Sequence, residues 1–356
     1  MPAHITHELF ADLVFSKAFG PDLRERIDRN RRFWVFGSQG PDFFLHNQRR
    51  KPSGLIYGKL LHTSGYGSFT ANLIEVARKS GAGIDSKLGV YILGFASHAV
   101  LDRFTHPFIN YHSGWVDRTR PETIRYHNCH AFLERIIDVM LLKILEKKSI
   151  EEYDFLGRVE LGSEIPASVL DAVNFAIEAT YPEYVGHDAI SLRVENAYRD
   201  TIGFYEYTNP TNPDNFRHAA ERDGGGGNPA RRFLALFHPR GLPLLDYLNA
   251  GHETWTHPGD PKEQHTESLI DLIEIAETAA ISPLRVVGAA LNGEGSLDDV
   301  AAAVGDENLS DGRQRKAKRQ IEYIDPLPLD GVLASIYEAI RSGQLASGTL
   351  SQQGSH

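Results

Sequence analysis

One cysteine in 356 residues excludes an internal disulfide framework. That residue, Cys129 beside His130, reads as a small packed side chain rather than a ligand. Long apolar runs are also missing, and none approaches the roughly 20 residues that a membrane-spanning helix needs. The opening MPAHITHELFADLVF has neither a basic segment nor an unbroken apolar one, so no secretory leader is expected and the chain reads as cytoplasmic. Positive charge is in deficit, 37 Lys and Arg against 47 Asp and Glu, and a net charge of −10 argues against a general nucleic-acid surface. Alternation of apolar and polar residues, the mark of half-buried strands, is scarce.

What is present is helical periodicity. Residues 4–19 carry Ile5, Leu9, Leu13 and Val14 at helical spacing, closed by Gly20-Pro21. Further helices are expected near 67–80, 88–104, 166–179, 189–205, 230–250, 267–290 and 328–341. Proline disfavours helix in the residue before it, so Pro107 should end the 88–104 helix and leave His106 at its terminus. Another helix should start after Pro121, with Phe132, Leu133, Ile136, Ile137, Met140 and Leu141 on its apolar side. Residues 306–320 form a charged stretch expected to be solvated, and Gly224–Gly227 a flexible loop. Trp115, Trp255 and Phe43 read as core residues. The expectation is an all-α protein, one domain over 1–345, with a disordered tail at 346–356.

Chemistry enters through two ladders. His98, Asp102 and His106 stand at four-residue steps, and so do His130, Glu134 and Asp138. Four residues is about one helical turn, so each set lines one helix face with side chains that divalent cations prefer. His98 and His106 would lie about 12 Å apart along the axis, too far to share one ion, whereas Asp102 between them could bridge two. A cluster of two or three metals fits better than a single site, and such clusters serve phosphoester hydrolysis.

A wider set of residues extends the pattern: His7 in ITHELF, Asp42 in GSQGPDFF, His62 in KLLHTSG, then His98, Asp102, His106-Pro107, His130 and Glu134. In this order they resemble the zinc-dependent phospholipase C family, whose all-helical fold is shared with single-strand-specific nucleases of the S1/P1 type. The likeness covers about residues 1–145 and is nearest to the signal-less bacterial branch; the later LNAGHETWTHPGDPKEQHTESLIDLIEIA is similar to that branch too. It implies a multi-helix bundle with its metal centre within 1–145 and additional C-terminal helices over 150–345. Three zinc ions are implied: one on Asp42, His62, His98 and Asp102, a second on His106, His130 and Glu134, and a third on His7 with Asp102 as the bridge. In secreted members the third ion is completed by an N-terminal tryptophan, which this chain does not have. His4, one turn before His7 on the same face, is the expected replacement.

By that resemblance the activity would be phospholipase C-like, a metal-activated hydroxide attacking a phosphodiester with Asp42 as general base. Asp138 is expected to support a ligand rather than bind metal, and His46 and His127 to line the cleft. His and carboxylate ligands do not by themselves select zinc over iron or manganese. The substrate would be a phospholipid head group or a small phosphoester; the alternatives are a phosphatase, an S1/P1-type nuclease, disfavoured by the lack of an Arg/Lys and aromatic groove, and a non-catalytic zinc-binding scaffold. Oligomeric state is not encoded legibly.

Overall fold

A computed structural model of the chain describes residues 4–184, 189–224, 228, 232–313 and 321–343. The architecture is all-α. In chain order the helices are α1 (His4–Ala18), α2 (Pro21–Asp28), α3 (Arg31–Ser38), α4 (Asp42–Leu45), α5 (Leu55–Leu61), α6 (Tyr66–Lys79), α7 (Lys87–Ser113), α8 (Cys129–Leu141), α9 (Phe155–Val159), α10 (Ala167–Thr180), α11 (Ile190–Thr208), α12 (Pro213–Arg222), α13 (Leu269–Leu291), α14 (Leu297–Val304) and α15 (Leu329–Arg341). The described strands are β1 (Trp255–Thr256) and β2 (Gln264–His265), paired antiparallel with Trp255 opposite His265. One apolar core runs from Ile5 to Tyr337 and includes Trp255 and Phe43. No described helix is long and apolar enough to cross a membrane.

The fold is organised around α7. Ser86 starts it by accepting the Gly89 N–H at 3.0 Å, and every residue from Leu88 to Asp102 is buried. Contrary to the proline argument, α7 continues through Pro107 to Ser113. A proline inside a helix costs about 3 kcal/mol and deprives the carbonyl four residues earlier of its bond. Here Thr105, His106, Phe108 and Ile109 are all buried around it, and that packing overrides the local preference. His106 therefore stays in helical register with His98 and Asp102.

α3 packs on α7 through glycine. A Cβ on Gly37 would sit 2.2 Å from the Tyr91 carbonyl oxygen, and one on Gly94 would sit 2.4 Å from the Trp34 carbonyl oxygen. Only bare backbone on both sides allows this approach, and it lays the Ser38 carbonyl beside His98. On the other side Arg103 caps α14, donating to the carbonyls of Val304 (2.5 Å), Gly305 (2.9 Å) and Glu307 (3.3 Å). The chain beyond α14 is thereby held against α7.

Several further expectations are corrected. Pro121–Tyr126 forms a 3-10 turn, and α8 begins only at Cys129, after Asn128 takes a left-handed φ of 62°. Over 230–250 the described structure has a short 3-10 turn, Phe233–Leu236, followed by irregular chain, since Pro239, Gly241 and Pro243 interrupt helix formation. Trp115 is exposed rather than core. Within the charged stretch, Asn308, Leu309 and Asp311 are buried, so its start is part of the packed structure. Residues 314–320, 225–227 and the tail 346–356 lie outside the described residues.

Candidate metal centre

Eight of the expected ligands converge in two adjoining sets. α1 brings His7, the α4 start brings Asp42, the end of α5 brings His62, α7 brings His98, Asp102 and His106, and α8 brings His130 and Glu134. Three groups have ligand atoms mutually within 4.8 Å: His7, Asp42 and His98; His62, His98 and Asp102; His106, His130 and Glu134. Asp102 sits centrally, 3.2 Å from His7 Nε2, 3.0 Å from His98 Nε2 and 3.6 Å from His106 Nδ1. His62 Nε2 is 3.0 Å from Asp42, and His130 Nε2 is 2.9 Å from Glu134.

These approaches are suited to metal rather than to hydrogen bonding. Both oxygens of Asp42 and of Glu134, Oδ2 of Asp102 and Nε2 of His98 are buried without a hydrogen-bond partner despite neighbours about 3 Å away. Atoms that are close but misaligned with each other are aimed at a shared point. Ligand atoms about 2.0–2.1 Å from a tetrahedral zinc stand about 3.3 Å apart, and the histidine–carboxylate pairs here lie between 2.9 Å (His130–Glu134) and 3.9 Å (His98–Asp42).

Backbone carbonyls fix the histidines. His62 Nδ1 donates to Gly58 O (2.7 Å), His98 Nδ1 to Ser38 O (3.0 Å) and His106 Nδ1 to Leu309 O (2.7 Å). Each turns Nε2 toward the buried carboxylates, the orientation typical of metal-bound imidazoles. Leu309 also donates its N–H to the His62 carbonyl at 3.0 Å, linking one residue of each set. Gly40 completes the support: its φ is +53°, and a Cβ there would lie 2.3 Å from the His98 ring. Gly40→Ala should cost about 1–3 kcal/mol by overpacking and displace His98, lowering the metal count measured by plasma mass spectrometry.

Electrostatics agree. Burial raises the carboxyl pKa values, but His98 and His62 beside Asp42, and His106, His98 and His7 beside Asp102, hold both below the usual carboxylate range. Burial likewise opposes ionisation of Glu134, and His130 more than offsets it. Burial lowers His7 and His130, while His98, for which Asp102 and Asp42 outweigh burial, is raised to about 9. Three ionised carboxylates in a dry site require compensating cations, and the donor set fits divalent metal.

His4 is placed elsewhere. Its Nε2 accepts from Arg135 Nη2 at 2.8 Å, and its ring stacks on Phe155 at 5.4 Å, so it does not complete the His7 group. A guanidinium at that nitrogen is incompatible with a cation there. His4→Ala should leave the metal count unchanged while costing about 1–3 kcal/mol, because Arg135 loses a buried partner. Asp138 is also no ligand: it accepts from Thr6 N–H (2.7 Å) and Oγ1 (2.8 Å) and pairs with His238 Nε2 (2.9 Å). It thus ties α1, one residue before His7, onto α8. His46 is buried and stacked on Phe204 at 4.4 Å, and His127 precedes α8; neither joins the three groups. Leu309, Arg103 and His238 have no spacing signal in the sequence, because Leu309 acts through its carbonyl and Arg103 and His238 are single side chains meeting partners 100 or more positions away.

The His130 and His62 side chains are 21% and 15% exposed, against 2% or less for Asp42, Asp102 and Glu134, so each set is least buried at its own histidine. Between His7, Asp102, His106 and Glu134 lies a pocket of about 10 Å³, walled by Ile109, Ile137, Leu269 and Ile273. That is room for one water-sized body. Comparison with protein-family models, curated proteins and solved structures yields no match.

Proposed function

We propose that this chain is a metal-dependent phosphoester hydrolase, phospholipase C-like in fold and chemistry, with zinc as the preferred ion. The observation that carries the reading is the convergence of three buried carboxylates and five histidines, with three imidazoles oriented by backbone carbonyls. Asp42, His62, His98 and Asp102 would hold one ion, His106, His130 and Glu134 a second, and His7 with Asp102 a third. When bound, the metals supply the charge that binds a phosphoryl group and makes water more acidic. Asp42, ionised and lacking a hydrogen-bond partner at either oxygen, orients the attacking water and accepts its proton. Its depressed pKa makes it a weak base, so this role depends on water that is already acidified. His130 and His62, the exposed ligands, stand where the phosphoester enters.

The small apolar-walled pocket between the two sets favours a second reading, a non-catalytic metal scaffold. Metal content per chain, measured beside hydrolysis of a bis-aryl phosphodiester and a chromogenic phosphocholine ester, separates the two. Two or three ions with chelator-sensitive hydrolysis is the expected result; bound metal without hydrolysis of either ester would leave only the scaffold.

A further inference from the structure

We infer that the loop over residues 115–126 is a docking surface for an anionic lipid–water interface. The inference rests on the hydrolase reading, since it names where that site would meet its substrate.

The loop displays apolar side chains from a firm base. Trp115 is 44% and Ile124 41% exposed, whereas the other tryptophans, Trp34 and Trp255, are 3% and 1% exposed. Asp117 N–H donates to Thr123 Oγ1 at 2.9 Å, and the Thr123 hydroxyl lies 2.6 Å from the Arg120 carbonyl oxygen, closing the loop on itself. Gly114, at φ +74°, seats it beneath Tyr126 and Pro326. Trp115 and Ile124 therefore stand on the two limbs of one braced turn.

Charge complements the apolar pair. Arg118, Arg120 and Arg125 are exposed on the same segment, against Asp117 and Glu122, a local positive excess in a chain of net charge −10. Asp117 and Arg120 pair with each other at 3.2 Å, which leaves Arg118 and Arg125 against Glu122. Trp and Ile suit the boundary between head groups and acyl chains, and guanidinium groups suit lipid phosphates. Position completes the case, because Tyr126 leads within four residues to His130, the most exposed of the metal-site side chains. A lipid held by this loop presents its phosphoester at the open rim.

The test uses the full chain with vesicles of phosphatidylglycerol and phosphatidylcholine, some brominated in the acyl chain. Because the other two tryptophans are buried, bromine quenching reads Trp115. Quenching and co-sedimentation are expected, with vesicle affinity falling about tenfold in Trp115→Ser/Ile124→Ser and unchanged hydrolysis of the soluble diester. Absence of wild-type binding, equal binding by the double variant, or an equal loss in Leu192→Ser, a comparably exposed residue on α11, would overturn the docking surface. So would displacement from vesicles by single-stranded DNA at matched ionic strength. A chain that binds vesicles through Trp115 but hydrolyses no phosphoester leaves the docking surface standing and overturns the hydrolase reading alone.

Discussion

Asp102→Ala is expected to strip the centre of at least one ion and to give a protein that melts like the chelated wild type. Asp102 approaches Nε2 of both His7 and His98, so on the proposed bridging role its loss would remove a ligand from more than one position. A metal that binds only the folded state adds about 4 kcal/mol when its free concentration is a thousand times its dissociation constant. The variant should lose that linkage, and chelator should then lower its melting temperature much less than it lowers the wild type's. Plasma mass spectrometry and thermal melts with and without chelator measure both halves. A full metal count with an unchanged melt would show that the carboxylate is no bridge.

Asp42→Asn separates binding from chemistry. Asparagine keeps an oxygen in place but cannot accept a proton from water, and His62, His98, Asp102 and His7 remain around it. Most metal should be retained, while kcat on a soluble phosphodiester falls about 10²–10⁴-fold, the usual contribution of a positioned general base. KM should change little. Retained kcat would exclude Asp42 from proton transfer and leave it only a ligand.

The clustering of the candidate ligands on α7 and α8 was legible because the helix repeat and the four-residue spacing coincide. His98 and Asp102 had to share a face once 88–104 was read as helix, His106 joins them because α7 runs on to Ser113, and His130 with Glu134 followed in the same way. His7, Asp42 and His62 came from order along the chain, which says nothing of distance. Misreadings arose where tertiary packing overruled a local rule. Pro107 remains inside α7 because its neighbours are buried, and His4 shares a helical face with His7 yet meets Arg135, a residue 131 positions away. The residues that orient the imidazoles escaped notice for another reason. Ser38, Gly58 and Leu309 act through their carbonyls, so their side-chain identity reveals nothing of the role.

Leu309 has a consequence for how the protein matures. All eight candidate ligand residues have been added to the chain once Glu134 is made, 175 positions before residue 309. Until then His106 lacks the carbonyl that sets its tautomer, and His62 lacks its backbone partner across the centre. The arrangement of these two histidines is complete only when the segment beyond α14 is in place. On the proposed metal reading, an amino-terminal fragment ending after Glu134 would carry all eight candidate ligands yet lack the Leu309 carbonyl that orients His106, and should bind metal less well than the full chain.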